Sequence, residues 1–455
     1  MSARENFGSR RAVIYAMAGS AIGLGNIWRF PYMAGEHGGA VFVISYIVAT
    51  LLVSLPVFVA EVTLGRRSRT SSYGAMSKMD PPRRKLWRWA GLLSVCIPLF
   101  ILCYYSVIGG WSLFYLFKAC AFDYVGTSPE AAESLFGNFI SSVWTPIGMH
   151  LVFLAVCAWI VARGVKSGIE RFSKLTIPAL FVLIVLMIAY SLSLPGSSQG
   201  VRYLWKPDLG ALNVKTFVYA MGQSFFSLSL GMGAIVTYGS YVKSDENLVL
   251  SSAGTAFFDL VFALLAGMAI MPAVFAAGIK PGAGPGLIFQ GIPFIFSSLG
   301  ASLPILSSIS AILFFLAIVV AAMTSVLSLI EVGVACLSDR FGVDRPLGSL
   351  LIFLVCGAVG VVCSLSFGPL SGLTVVGKTI FDLFDWFASN VLLLVMAFIV
   401  VVFVGFVMKK EDVRDEITNG GKKRFNARWF NLIYFLIKWV APICVLSIFI
   451  TNFIL

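Results

Sequence analysis

Apolar runs of about twenty residues recur from Ala12 to the end of the sequence, and this recurrence constrains the fold more than any other feature. Each run is long enough to cross the hydrocarbon core of a bilayer as an α-helix. The composition agrees, since 59% of the 455 residues are hydrophobic and only 12% are charged. A soluble domain carries about twice that charged share. A β-barrel would need alternating apolar and polar strands of about ten residues, and none is visible. The sequence therefore predicts an all-α polytopic membrane protein. No cleavable signal peptide is expected, because the basic start (Arg4, Arg10, Arg11) leads into a run without a small-residue cleavage site.

Reading apolar runs between polar breaks predicts about eleven membrane helices, over 12–35, 40–65, 90–119, 144–162, 170–194, 213–240, 248–275, 303–337, 347–367, 378–408 and 429–453. The cations cluster in alternate loops: Arg66 to Arg69, Lys78 to Arg88, Arg163 to Lys174, Lys409 and Lys410, and Lys422 to Arg428. By the positive-inside rule these loops and the N-terminus are cytoplasmic, and an odd number of spans leaves the C-terminus outside. The expected location is the plasma membrane, which in a bacterium is the cell inner membrane. The net charge of +12 then reads as topology and contact with lipid, and no nucleic-acid partner is expected. The eight cysteines lie in or beside apolar runs without a CxxC or a His–Cys cluster, so neither a disulfide framework nor a transition-metal site is expected.

Two of the runs are broken in the same way. The first contains AGSAIGLGNIWRFPY, Ala18 to Tyr32, and the sixth contains GQSFFSLSLGMGAIVTYG, Gly222 to Gly239. Each opens a group of five spans, an odd number, so the second group inserts upside down relative to the first. Paired interrupted helices in corresponding halves point to an inverted-repeat transporter with its site at the breaks. The expected organisation is a cytoplasmic segment 1–11, a first repeat 12–194, an outer loop 195–212 and a second repeat 213–408. A cytoplasmic loop 409–428 and an extra C-terminal helix 429–455 follow. Pro and Gly in KPGAGPGLIFQ make 276–302 a re-entrant hairpin rather than a span.

A break in a bilayer exposes backbone N–H and C=O groups that lipid cannot satisfy, so something polar must fill it. Half-helix N-termini favour an anion such as a carboxylate, and freed carbonyls favour a hard cation such as Na⁺. Gly19, Gly23 and Gly25 are expected to let the backbone turn, with Asn26 adding an oxygen ligand. Glu61, Asp259, Glu331, Asp382, Asp385 and Arg29 also fall inside apolar runs, where a paired or functional role is the default. Asp259, in SSAGTAFFDLVFALLAG, has no basic neighbour on its own helix, so it must pair with a cation or hold a proton. Thr324 and Ser325 supply adjacent hydroxyls in AAMTS of the eighth run.

GSAIGLGNIWRFPY, QSFFSLSLGMG and AAMTS together resemble the signature segments of the neurotransmitter:sodium symporters, in order and with matching spacing from Arg4 to about Val407. Within that family the GMG of span six and the eleven spans resemble bacterial members that carry several hydrophobic L-amino acids. The resemblance implies a sodium-coupled symporter rather than an enzyme, working by alternating access on hydrophobic and aromatic L-amino acids, with two sodium sites and no obligatory protein partner. One sodium would be held by the Ala21 carbonyl, Asn26, Ser227, Asp259 and the substrate carboxylate. The other would use the carbonyls of Gly19, Ile22 and Ala321 and the hydroxyls of Thr324 and Ser325. The substrate carboxylate would meet the N–H groups of Leu24 and Gly25 and the Tyr105 hydroxyl. Its ammonium would meet carbonyls near Ala21 and Phe226, and Ser227 would face both ligands. The side-chain pocket would be Ser20, Ile101, Phe226, Ser229, Met232, Ser328 and Leu329, with Phe226 and Tyr105 as its lid. Arg29 and Asp385 would form an outer ion-pair gate. Arg4 and Asp339, with Phe7, Tyr241 and Glu331, would form the inner one. Glu61 would brace the unwound sixth span, and Gly168 with Pro178 would let the inner end of span five unwind, with a simple proline kink as the alternative.

The chain also departs from the family pattern. Relatives usually have Asn where Asp259 stands, and chloride-dependent members balance sodium charge with a bound anion nearby. The carboxylate of Asp259 should replace that anion, which implies chloride independence and allows proton antiport on the return step. Met232 stands where a Phe also occurs, and its flexible side chain favours a broad apolar and aromatic substrate range. A proton-coupled transporter of the same architecture, with Asp259 as the carrier, is the alternative. A channel would need a continuous polar pore. A phosphate-loop enzyme would need a Lys-Ser or Lys-Thr after the glycines, and none follows.

Overall fold

The computed structural model describes residues 5–121, 129–208, 210, 213–278, 287–300 and 304–454. Among them, nine helices are long and apolar enough to cross a membrane: Ala40–Ser68, Pro81–Cys120, Trp144–Ala162, Val165–Leu192, Leu248–Ala276, Ile305–Phe341, Arg345–Leu365, Ile380–Val407 and Asn426–Phe453. In the order expected above these are spans 2–5 and 7–11. Spans 1 and 6 fall below that length because each is interrupted. Span 1 runs over Arg10–Ala21, stops, and resumes as a π-helical turn Gly25–Arg29 that leads into Phe30–Glu36. Span 6 runs over Val214–Ser227, stops, and resumes over Ala234–Gly239.

Helix starts follow local chemistry. Ser9 accepts the Ala12 N–H at the start of span 1 (3.3 Å), Asn213 the Thr216 N–H at span 6 (2.8 Å) and Asn247 the Leu250 N–H at span 7 (3.1 Å). Each satisfies one of the N–H groups that a first helical turn leaves without a partner. Span 3 corrects an expected boundary: its helix begins at Arg84 after a 3₁₀ turn Pro81–Arg83, rather than at residue 90. Lys and Arg are good helix formers, so the helix runs past its apolar stretch with Arg83, Arg84, Lys85 and Arg88 exposed. The loops expected at 120–143, 195–212 and 409–428 contain helices Pro129–Ser141, Ser197–Trp205 and Lys410–Thr418. Part of the hairpin expected at 276–302 lies outside the described residues, and its second half is a short helical piece, Leu287–Gly291 and Ile292–Gly300.

Spans 3, 4, 8 and 9 pack on one another, span 8 most extensively along span 3. Span 1 lies against spans 5 and 7, and both halves of span 6 lie along span 2. The breaks in spans 1 and 6 therefore meet inside the bundle, while large apolar side chains such as Leu51, Val182, Leu354 and Ile443 face outward. Span 11 packs against span 10 and the first half of span 6.

Candidate functional site

The two breaks face each other across a cavity of about 30 Å³, lined by Ser20, Ala21, Gly23, Gly25, Ile101, Tyr105, Phe226, Ser229, Met232, Ser325, Ser328 and Leu329. Ten of the twelve residues expected at the substrate are in that lining. Leu24 and Ser227 lie just behind it: the Leu24 N–H donates to the Tyr105 hydroxyl (3.0 Å), and Ser227 belongs to the polar cluster described next. Gly23 and Ser325 also line the cavity and were not expected there.

On one side of the cavity lie Asn26, Ser227 and Asp259, all fully or almost fully buried. The Asn26 amide donates to Asp259 Oδ1 (2.7 Å) and Ser227 Oγ (3.0 Å), and the Ser227 hydroxyl reaches both Asp259 oxygens (2.9 and 2.8 Å). Sequence reasoning missed the fourth member, Tyr46, whose hydroxyl donates to Asp259 Oδ2 (3.3 Å) and Ser227 Oγ (3.1 Å). It also missed Gln223, which donates to the Gly25 carbonyl (2.9 Å) and so satisfies part of the break. Both are polar groups on otherwise apolar helices, and that would have been the signal. Among the described residues no cation side chain faces Asp259, so three neutral donors carry its buried carboxylate.

On the other side is span 8. The Thr324 hydroxyl bonds the carbonyls of Ile22 (3.1 Å) and Ala321 (2.9 Å), and that of Ser325 the Ser20 carbonyl (3.3 Å). Gly19 packs against Thr324, with 3.5 Å between a built Cβ and the threonine Cβ. The span 8 cluster thus combines broken-helix carbonyls with neutral hydroxyls, and the other combines neutral side-chain oxygens with a single carboxylate. Either donor set suits a hard monovalent cation. Among the described residues no group of three or more His, Cys, Asp and Glu could hold a transition metal.

The glycines of span 1 act differently from the expectation. Gly19, Gly23 and Gly25 are not among the glycines with positive φ. They permit close approach instead: a Cβ on Gly23 would lie 2.3 Å from Ser325 Oγ, and one on Gly25 would lie 3.0 Å from the Phe226 ring. Span 6 is the break that needs left-handed backbone, at Ser229 (φ 55°), Gly231 (φ 75°) and Gly233 (φ 67°). Glu61 of span 2 accepts the Gly231 N–H (2.7 Å), one of the groups the break frees.

At the end away from the basic loops, Arg29 and Asp385 line one polar cavity of about 400 Å³ together with Tyr32, Lys378, Asp382 and Trp386. They do not form the expected ion pair. The Arg29 guanidinium lies 4.7 Å from the centre of the Phe226 ring, which lines the first cavity, and Asp385 accepts from Ser389 (3.4 Å). At the basic end, Phe7 is buried edge-on against Tyr238 and Tyr241, and its N–H donates to the Tyr241 carbonyl (3.1 Å). The Tyr241 hydroxyl donates to Glu331 (2.6 Å). Arg4 lies outside the described residues, and Asp339 accepts from the Ser71 N–H (2.6 Å) and the Thr70 hydroxyl (3.1 Å).

Two groups at this end escaped the sequence reading. Arg345 makes a two-pronged ion pair with Glu331, which is fully buried. Asking which cation neutralises Glu331 would have pointed there, although Glu331 and Arg345 lie on different helices. Glu170 accepts the Gly8 N–H (3.0 Å) and pairs with Lys174 (2.6 Å), while Glu5 accepts the Val165 N–H (2.8 Å). The N-terminal segment and the start of span 5 thus hold each other by reciprocal carboxylate bonds. Gly168 lies in the π-helical turn Val165–Glu170, and the helix Arg171–Leu192 continues through Pro178 without interruption.

The sequence pattern of the sodium:neurotransmitter symporter family matches residues 4–127 and 135–455. The chain is 37% identical over 447 residues to an uncharacterized sodium-dependent transporter, YhdH, of Bacillus subtilis, covering 97% of this chain and 96% of that protein. An uncharacterized sodium-dependent transporter of Haemophilus influenzae is 32% identical over 460 residues, covering 99% of this chain and 98% of that protein. Among solved structures, MhsT in complex with L-phenylalanine superposes with a TM-score of 0.88 at 38% identity, over 99% of this chain and all of that one.

Proposed function

The chain belongs to the sodium:neurotransmitter symporter family, and from that premise we propose that this sodium-dependent, multi-pass membrane transporter carries hydrophobic and aromatic L-amino acids by alternating access, without chloride. The observation that carries the reading is the cavity between the two breaks. It combines an apolar wall (Ile101, Phe226, Met232, Leu329) with the polar groups of a helix break at Tyr105 and Gly25. The chemistry of that lining, rather than its present volume, suits an α-amino acid with an apolar side chain, and the similarity to a protein solved with L-phenylalanine points the same way.

Two sodium ions travel with the substrate. The first sits among the Ala21 carbonyl, Asn26, Ser227 and Asp259 and is completed by the substrate carboxylate, so each ligand raises the other's affinity. The second sits among the carbonyls of Gly19, Ile22 and Ala321 and the hydroxyls of Thr324 and Ser325. Asp259 replaces a bound chloride, because a fixed carboxylate among Asn26, Ser227 and Tyr46 supplies the negative charge that the sodium needs. The basic end faces the cytoplasm. Closure of the opposite end brings Arg29 and Asp385 together above Phe226. Opening of the basic end requires Phe7 to leave Tyr241, Glu331 to leave Arg345, and span 5 to unwind near Gly168 and Pro178.

The test is uptake of radiolabelled leucine and phenylalanine into liposomes holding the purified transporter, with sodium, lithium or potassium gradients, each with and without chloride. Concentrative uptake that needs sodium and ignores chloride is expected. The Asp259→Asn variant is expected to lose uptake in chloride-free buffer and recover part of it when chloride is added. Uptake driven by a proton gradient without sodium would overturn the sodium coupling and leave Asp259 as a proton carrier. Chloride dependence of the unmodified protein would overturn the role given to Asp259.

A further inference from the structure

Span 11 holds a charge that lines neither of the two cavities described above. Lys438 lies within the apolar helix Asn426–Phe453. Its ammonium sits 4.8 Å from the ring centre of Phe406, 5.7 Å from that of Trp439 and 5.8 Å from that of Tyr434. Lys410, which opens the helix Lys410–Thr418, reaches the same Tyr434 ring at 5.6 Å. Among the described residues neither ammonium has a carboxylate within ion-pair distance or an oxygen accepting its N–H groups. Glu411, next to Lys410, is exposed and pairs with neither lysine.

The backbone fixes this arrangement. Spans 10 and 11 cross where both are π-helical, at Phe403–Val407 and Leu436–Val440. Gly405 lets them touch, since a Cβ there would lie 3.0 Å from Lys438 Cα, and the Tyr434 hydroxyl donates to the Gly405 carbonyl (2.9 Å). Helical side chains lean toward the helix N-terminus, so the Lys438 stem runs back toward Tyr434 and the basic end of the molecule. The cage opens sideways rather than into the bundle: Phe406 and Trp439 are each about half exposed, and Ile443, one turn beyond Trp439, more so.

Ring faces stabilise an ammonium but accept few of its hydrogen bonds, so the part-buried Lys438 still calls for oxygen acceptors, while Lys410 is exposed beside it. An aromatic side chain at the headgroup level with basic residues beside it is the ordinary setting for an anionic lipid. We propose that the seam between spans 10 and 11 binds the headgroup of an anionic phospholipid. Its phosphate meets Lys438 and Lys410, and its acyl chains lie along Phe406, Trp439 and Ile443. A zwitterionic phosphatidylcholine brings its own ammonium to the same lysines and fits poorly.

The experiment reconstitutes the full transporter in phosphatidylcholine nanodiscs with a minor share of phosphatidylglycerol and counts retained lipids by native mass spectrometry. Phosphatidylglycerol is expected to be retained over phosphatidylcholine. Lys438→Met should lower its retention about fivefold and Lys410→Gln less, as expected for one cation at an anionic surface. Lys438→Arg should retain it, and Lys166→Gln, an exposed lysine elsewhere at the basic end, should change nothing. Equal retention of both lipids overturns the proposal, as does full retention in Lys438→Met that still melts like the unmodified protein. Should Lys438→Met fail to fold, retention unchanged in Lys410→Gln, or lost in Lys438→Arg, overturns it. Displacement of the lipid by millimolar inorganic phosphate would reassign the site to soluble phosphate, and none is expected.

Discussion

The breaks in spans 1 and 6 look alike as sequence and differ as structures. Span 1 stops for three residues, Ile22 to Leu24, without any left-handed residue, and its glycines make room for Ser325, Tyr105 and Phe226. Span 6 stops for six residues, Leu228 to Gly233, and turns through left-handed backbone at Ser229, Gly231 and Gly233. A glycine that removes a side chain and a glycine that permits a conformation fail in different ways when replaced. In span 1 the obstacle is a neighbour's side chain. In span 6 it is the main chain itself.

Gly231→Ala is the largest expected effect. Its φ of 75° strains any L-residue, and its Cβ would lie 2.2 Å from the Leu393 carbonyl oxygen, backbone that cannot swing away. Left-handed strain alone costs about 1–2 kcal/mol, and the clash adds to it. We expect sodium-driven uptake to vanish and the detergent melting temperature to drop, with no single side-chain deletion restoring either. Gly23→Ala should cost about 2–3 kcal/mol as overpacking. Its nearest obstacle is Ser325 Oγ, so the double variant Gly23→Ala/Ser325→Ala should regain much of the lost melting temperature while uptake stays impaired. Rescue of both glycine variants, or of neither, would erase the contrast between the breaks.

How much of this was legible in the sequence follows from which interactions are local. Apolar run length located the spans, and the glycines, with Asn26 in span 1, located the breaks. The close-approach role of Gly23 was not legible, because Ser325 lies about three hundred residues away in sequence and nothing in GSAIGLG names it. Tyr46 and Arg345 were missed for a similar reason. Each was weighed as part of its own helix, whereas its partner, Asp259 or Glu331, belongs to another. Arg29 and Asp385 came out unpaired for a different reason: the guanidinium rests on Phe226 instead, an arrangement that depends on where the ring of another helix lies. The helix start at Arg84 was lost because hydrophobicity marks where a span is apolar, not where its hydrogen bonds begin.

Glu61 sharpens the comparison one step further. It accepts the Gly231 N–H, a bond that span 1 does not require because Gln223 and Tyr105 serve its break from neighbouring helices. Glu61→Ala leaves that N–H buried without a partner, which costs about 1–3 kcal/mol. Glu61→Gln keeps an acceptor and should cost less than half as much. Melting temperatures of the two variants decide this, and an equal loss in both would mean that something other than the Gly231 bond depends on Glu61.

The smallest effects lie where the two broken spans begin. Both first halves carry a side-chain cap, Ser9 at 3.3 Å and Asn213 at 2.8 Å from the N–H each accepts. Replacing such a cap by alanine costs about 0.5–2 kcal/mol. The first half of span 6 is held mainly along span 2 and by span 11. That of span 1 is pinned by spans 5 and 7, by the Glu170–Gly8 bond and by Phe7 against Tyr241. Loss of the cap is therefore better buffered in span 1, so Asn213→Ala should lower the melting temperature more than Ser9→Ala. Hydrogen exchange read over residues 10–21 and 214–227 checks this directly, with faster exchange confined to the first turn after the lost cap. Equal or greater loosening of span 1 would mean that the N-terminal segment contributes little to holding that helix, and that the bonds of Glu5 and Glu170 can open without disturbing span 1.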